Sequence, residues 1–105
     1  MESARKIQCY TRGLTFEQFQ SEDIVFDVVV RNLEIIGEAA KHLPPEGRAM
    51  MPGVNWSKVA GFRDVIVHGY FGLDVHVIWD VVQSKVSALI PSVEKATQQV
   101  KDQRS

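Results

Sequence analysis

Apolar side chains at Val25, Val28, Val29, Val30, Leu33, Ile35, Ile36, Ala39 and Ala40 recur with a helical rather than an alternating period. They predict one helix from about Glu22 to His42, closed by Leu43-Pro44-Pro45. The β-branched run of Ile24, Val25, Val28, Val29 and Val30 would also suit a strand. However, the segment is far longer than a typical strand of about 5–6 residues and holds no turn. Wound at roughly 100° per residue, its apolar positions sweep an arc of about 200°, wider than the stripe of an ordinary surface helix. Such a helix is expected to need partners on two sides, its own core and a second subunit. Asp27, Arg31, Glu34, Glu38 and Lys41 gather on the remaining face, with Asp27 and Arg31 at a favourable i,i+4 spacing. Asn32 instead points into the apolar arc. A buried amide needs partners, so Asn32 is either a structural hydrogen-bond bracket or part of a site.

The same reading along the rest of the chain predicts three further main helices. Residues 2 to 12 form the first, stopped by Gly13 as a left-handed cap. Thr15 and Gln18 form a capping box that opens a short turn through Phe16 and Phe19. Asn55 caps a helix from Trp56 to about Val67, after which Gly69 permits a tight change of direction. Asp74 caps the last helix, whose stripe of Val75, Ile78, Trp79, Val82, Val86, Leu89, Ile90 and Val93 is one-faced. Pro91 is expected to kink or restart it, because proline removes an internal hydrogen bond. The fold class that follows is all-α, an antiparallel bundle of four to five helices in one domain over residues 1–105.

Composition narrows the functional classes. The hydrophobic share of 45% and charged share of 24% are those of an ordinary globular protein. A net charge of -1 argues against a basic protein that coats nucleic acid, though not against one that grips a few phosphates through well-placed arginines. The single cysteine, Cys9, excludes an internal disulfide and suits a reducing compartment. No Cys/His cluster has zinc-ligand spacing, and no Walker loop or dinucleotide fingerprint is found, so no metal and no cofactor are expected. With neither a secretory pattern nor a long apolar run, the expected place is the cytoplasm, away from the membrane.

Candidate chemistry lies in Arg63-Asp64-Val65-Ile66-Val67-His68-Gly69-Tyr70. These residue types suit phosphodiester cleavage without a metal, in which a ribose 2'-hydroxyl attacks the adjacent phosphate. Histidine can move a proton in either direction near neutral pH. Arginine stays charged and presents a planar fork to two phosphate oxygens. Asp64 could orient either side chain, and Tyr70 could hold a phosphate or stack on a base. Geometry limits the idea, because on a continuous helix Arg63 and His68 stand about 140° apart. For them to converge, the helix must end near Val67, or a second subunit must supply one partner. Spacing alone is weak evidence, since six arginines and three histidines give roughly 0.17 chance matches to Arg-x4-His in a chain this long. The bland reading is a surface Arg63–Asp64 pair and a histidine at a helix end.

The surrounding strings carry more weight. Val30-Arg31-Asn32-Leu33-Glu34-Ile35-Ile36-Gly37-Glu38-Ala39-Ala40-Lys41 resembles the signature of the HepT-like family of HEPN proteins. So does Trp56 to Phe71, with Ala60-Gly61-Phe62-Arg63-Asp64 and Val67-His68-Gly69-Tyr70-Phe71. The resemblance extends from Tyr10-Thr11-Arg12-Gly13-Leu14 to the helix after Leu73-Asp74. It implies a metal-independent endoribonuclease toxin that dimerises and sets two Arg-x4-His-x-Tyr motifs in one cleft. By motif position Arg63 and His68 become the catalytic pair, and Asp64 is the polar residue that follows the arginine. Tyr70 takes the position at which a cognate minimal nucleotidyltransferase antitoxin, MntA, attaches AMP and silences the toxin. An AMP adduct adds bulk and negative charge where an RNA phosphate should sit. Relatives carry further residues before the position of Ser3, so the first helix is expected to be short here. The alternative is a non-catalytic helical module that binds or assists the nucleotidyltransferase.

Other conspicuous residues have structural readings. His42 suits the negative end of its helix, and Trp56 and Trp79 are expected to be core anchors. Cys9 is expected to be a packed small residue rather than a nucleophile. His76 lies in the first turn of the last helix, where it could come near the motif loop.

Overall fold

A computed structural model describes residues 2–69 and 72–104, with side chains through Lys101. Its helices are α1 (Glu2–Thr11), α2 (Phe16–Ser21), α3 (Asp23–Lys41), α4 (Pro45–Ala49), α5 (Trp56–His68), α6 (Val75–Asp80) and α7 (Ser87–Arg104). A π-helical stretch, Val81–Val86, joins α6 to α7. No strand occurs among the described residues, and the all-α bundle expected from the sequence is what the chain forms.

Local chemistry sets several helix ends. Gly13, at φ +77°, turns the chain after α1 in the left-handed region that glycine enters without strain. Thr15 accepts a hydrogen bond from the Gln18 amide, and the Gln18 side chain accepts one from the Thr15 amide, completing the capping box of α2. Asn55 Oδ1 accepts from the Lys58 amide at α5, and Asp74 Oδ1 from the His76 amide at α6.

Two short features depart from expectation. Helix α4 lies in a segment read as connection only, although Pro45 at its first position is a favourable helix start. The irregularity expected at Pro91 comes earlier. The helix widens over Val81–Val86 and resumes α geometry at Ser87, with Pro91 carried inside α7.

The core has two apolar clusters. The larger joins Ala4 and Ile7 of α1, Phe19 of α2, Val29, Val30 and Leu33 of α3, Ile66 of α5, and Ile78, Val82, Val86 and Ile90 of the last rod. The smaller joins Ala40 of α3, Met51, Trp56 of α5 and Ala96 of α7. Leu33 shares a cluster with Ile66, while Ala40 shares one with Trp56, so α3 and α5 run antiparallel. These two helices make the most extensive pairing in the molecule. Both tryptophans are core anchors as expected, Trp56 in the smaller cluster and Trp79 against the Phe19 ring at 5.0 Å.

Cys9 is a correction: it is exposed rather than packed. Helix α1 buries Ala4, Ile7 and Thr11, and a residue two positions beyond Ile7 falls on the opposite face. No helix among the described residues is long and apolar enough to cross a membrane.

Candidate active site

The site is built where α3 and α5 cross, between the two apolar clusters. Gly37 sets the approach. A Cβ placed there would lie 2.2 Å from Arg63 Cβ, so only glycine lets the backbones come this close. The crossing brings the next residue of α3, Glu38, against Arg63, and the residue one turn on, Lys41, against Asp64. Glu38 Oε2 lies 3.2 Å from Arg63 Nε. Asp64 Oδ1 accepts from Arg63 Nη1 at 3.2 Å and from Lys41 Nζ at 2.9 Å. His42 Nε2 is 3.0 Å from the other Glu38 oxygen, Oε1.

Arg63 is therefore braced at two of its nitrogens by two carboxylates. Its side chain keeps 29% exposure, enough to meet a ligand while its stem packs against α3. The carboxyl of Glu38 is held below its ordinary 4.5 first by the hydrogen bond with His42; burial opposes this, and the charges of Arg63, His42 and Lys41 add to the lowering. Asp64 is held below its ordinary 3.8 by its hydrogen bonds with Lys41 and then Arg63. Both carboxylates are ionised at neutral pH, so the brace is charged throughout the physiological range.

His68 is treated differently. Helix α5 continues through it to a cap at Gly69, whose amide donates to the Val65 carbonyl. The helix does not end at Val67, so the turn that would have swung His68 toward Arg63 is absent. On this continuous helix the two side chains point about 140° apart. His68 is exposed, one turn along from Val65, which is 58% exposed. Beside it a cavity of about 320 Å³ is lined by Phe62, Val65, Gly69, Leu73 and Val77, among others. Val67 and Val77 are also exposed, as is Ile35 on α3.

Of the other candidates, Asn32 is buried and donates from Nδ2 to the Val28 carbonyl at 2.7 Å, a bond within its own helix. That geometry serves the bracket reading. His76 stacks on Phe16 with ring centroids 4.4 Å apart. Tyr70, the motif tyrosine, lies outside the described residues. The sequence reading did not single out Glu38 and Lys41 as partners of the motif, nor Gly37 as the contact point. The available signal was the Gly37-Glu38-x-x-Lys41 spacing on one helix face, legible only once α5 is known to lie against it.

Comparison with known proteins gives the family. A family model described as "Ribonuclease HepT-like" matches residues 1–96, and the chain belongs to that HEPN-type family. A protein of Caldanaerobacter subterraneus subsp. tengcongensis, provisionally named an RNase, is 38% identical over 90 residues, covering 86% of this chain and 80% of the relative. "Probable ribonuclease HepT" of Thermococcus cleftensis is 37% identical over 94 residues, covering 90% of this chain and 86% of its own. A third relative, also provisionally named an RNase, comes from Methanocaldococcus jannaschii and is 37% identical over 95 residues, covering 90% and 78%. No solved structure matches.

Proposed function

We propose that this chain is a metal-independent endoribonuclease toxin of a type VII toxin–antitoxin pair, working in the cytoplasm as a homodimer. The observation that carries the proposal is the Arg63 brace at the α3–α5 crossing, inside a chain of the HepT-like ribonuclease family. An arginine fixed at two nitrogens by carboxylates is preorganised, so its remaining donors can meet charge that builds on a phosphate without costly rearrangement.

In this reading His68 takes the proton from the ribose 2'-hydroxyl or returns one to the departing 5'-oxygen. Arg63 stabilises the added negative charge on the phosphate between them. The products are a 2',3'-cyclic phosphate and a free 5'-hydroxyl. A pair 140° apart on one helix cannot act on one phosphate, so the reading needs a second copy that brings its own motif alongside. The exposed valines and the apolar cavity beside His68 support a docking face there. Tyr70 is the proposed site of AMP attachment by an MntA-like nucleotidyltransferase, with Asp64 supporting the arginine.

The direct test is cleavage of single-stranded RNA in EDTA by the unmodified protein and by His68→Ala. Cleavage by the parent and its loss in the variant are expected; equal cleavage by both sinks the role of His68. Co-expression with the nucleotidyltransferase should add whole AMP masses that vanish in Tyr70→Phe.

One observation favours a second reading, a non-catalytic module that binds the nucleotidyltransferase: the motif pair is not assembled within the chain. Tight binding to that partner with neither RNA cleavage nor growth arrest would select it.

A further inference from the structure

We infer that Lys41 is a second phosphate-binding residue of the site, holding the same RNA phosphate group as Arg63. The inference rests on the ribonuclease reading and adds a substrate contact that the motif does not contain. It begins with Asp64 Oδ1, a single anionic oxygen on which two cations meet, Arg63 Nη1 at 3.2 Å and Lys41 Nζ at 2.9 Å. Two cationic nitrogens that share one carboxylate oxygen are close enough together to share one phosphate. In the ligand-free protein Asp64 satisfies both.

Lys41 is also released from the duty its position would suggest. A lysine in the last turn of a helix ordinarily serves the unpaired carbonyls and the dipole there. Here Arg48 does that work, donating from Nη2 to the Ala40 carbonyl at 3.0 Å and from Nε to the Leu43 carbonyl at 3.2 Å. The ammonium of Lys41 turns instead across the crossing toward Asp64, on side chains 37% and 46% exposed. Surface ion pairs of this kind contribute little to stability, so an incoming phosphate can displace the carboxylate at small cost. Gly37 fixes the placement, since Lys41 lies one helical turn beyond the contact that no side chain can enter. Glu38 faces His42 and Arg63, whereas Asp64 faces Lys41 and Arg63, so an anion that displaces Asp64 meets those two cations together. In a chain with net charge -1, a substrate polyanion has to be held by local pairs of this kind.

The test uses a fluorescein-labelled single-stranded RNA oligonucleotide of mixed sequence. Binding is followed by anisotropy across a salt series, with His68→Ala protein so that no cleavage intervenes. Adding Lys41→Gln is expected to weaken binding about ten-fold at low salt and to flatten the log affinity against log salt plot by about 0.7, the contribution of one phosphate contact on a single strand. Lys41→Arg should retain the slope. In otherwise unmodified protein, Lys41→Gln should lower kcat/KM about ten-fold, with an unaltered melting curve. An unchanged salt slope, or an unchanged kcat/KM, overturns the role of Lys41 while leaving the ribonuclease reading intact. A parent that neither binds nor cleaves the RNA overturns both.

Discussion

Arg63 and His68 stand on the same helix, and the chain treats the two places in opposite ways. Around Arg63, α3 comes as near as a backbone can, and Glu38, Asp64, Lys41 and His42 form a continuous polar chain about the guanidinium. Around His68, the helix simply ends at the surface among exposed valines, beside an apolar cavity. On the proposed roles, the charge-stabilising group is positioned by the fold of one chain, whereas the proton-moving group has no such setting within it. In the proposed mechanism tertiary structure builds one half of the machinery, and the other half is assigned to association.

The sharpest way to break that comparison is a mixing experiment. Arg63→Ala and His68→Ala should each lower RNA cleavage by about a hundred-fold or more. If the site spans two copies, dissociating and re-associating an equal mixture should restore roughly a quarter of the parental rate, because half the dimers are mixed and each has one intact site. A mixture no better than its components would place both groups in one chain.

The next largest effect concerns the closeness of the crossing. Gly37→Ala drives a Cβ to 2.2 Å from that of Arg63 and is expected to cost about 1–3 kcal/mol, read as a lower melting temperature, along with activity. Gly61→Ala on the facing helix meets nothing within 4 Å and should stabilise by about 0.5–1 kcal/mol through helix propensity alone. Like signs for the two substitutions would remove the special status of the crossing.

A smaller effect is expected from Glu38→Gln, which keeps the shape and removes the charge. Cleavage should fall about ten-fold as the guanidinium loosens, with melting almost unmoved because the group is exposed.

The smallest effect is a pH dependence. Glu38 and Asp64 titrate below their ordinary 4.5 and 3.8, so folding favours their ionised forms. Their contribution to stability is therefore complete above the ordinary carboxylate range and is lost as pH falls through the depressed values. Melting temperature followed from pH 6 to pH 3 should fall less in a Glu38→Gln, Asp64→Asn double variant than in the parent.

The parts legible in the sequence were those written locally. The caps at Thr15, Asn55 and Asp74 and the turn at Gly13 depend on residues no more than three positions apart, and each forms as read. The motif segment was legible as well, through its own residue types and its flanking strings. What could not be read was the partnership of Glu38 with Arg63 and of Lys41 with Asp64, because each depends on how two distant helices are registered. The charges gathered on the remaining face of α3 carry no mark of their partners, since nothing local distinguishes a charge facing water from one facing another helix. Arg48 was missed for the same reason: its targets are the backbone carbonyls of Ala40 in α3 and Leu43 just beyond it, which carry no signature in the sequence. The π-helical stretch likewise belongs to the way a long rod fits the bundle rather than to any residue in it.

The contact at Gly37 also acts as a gauge of alignment. If α3 slid by one turn along α5 in either direction, the side chain of Leu33 or Lys41 would arrive where only a hydrogen fits. Slipped pairings of the two helices are thereby rejected by shape, before any charge has been compared. Glu38 can reach Arg63 only in the alignment that passes this steric check, so correct docking of the helices and assembly of the Arg63 brace become a single event.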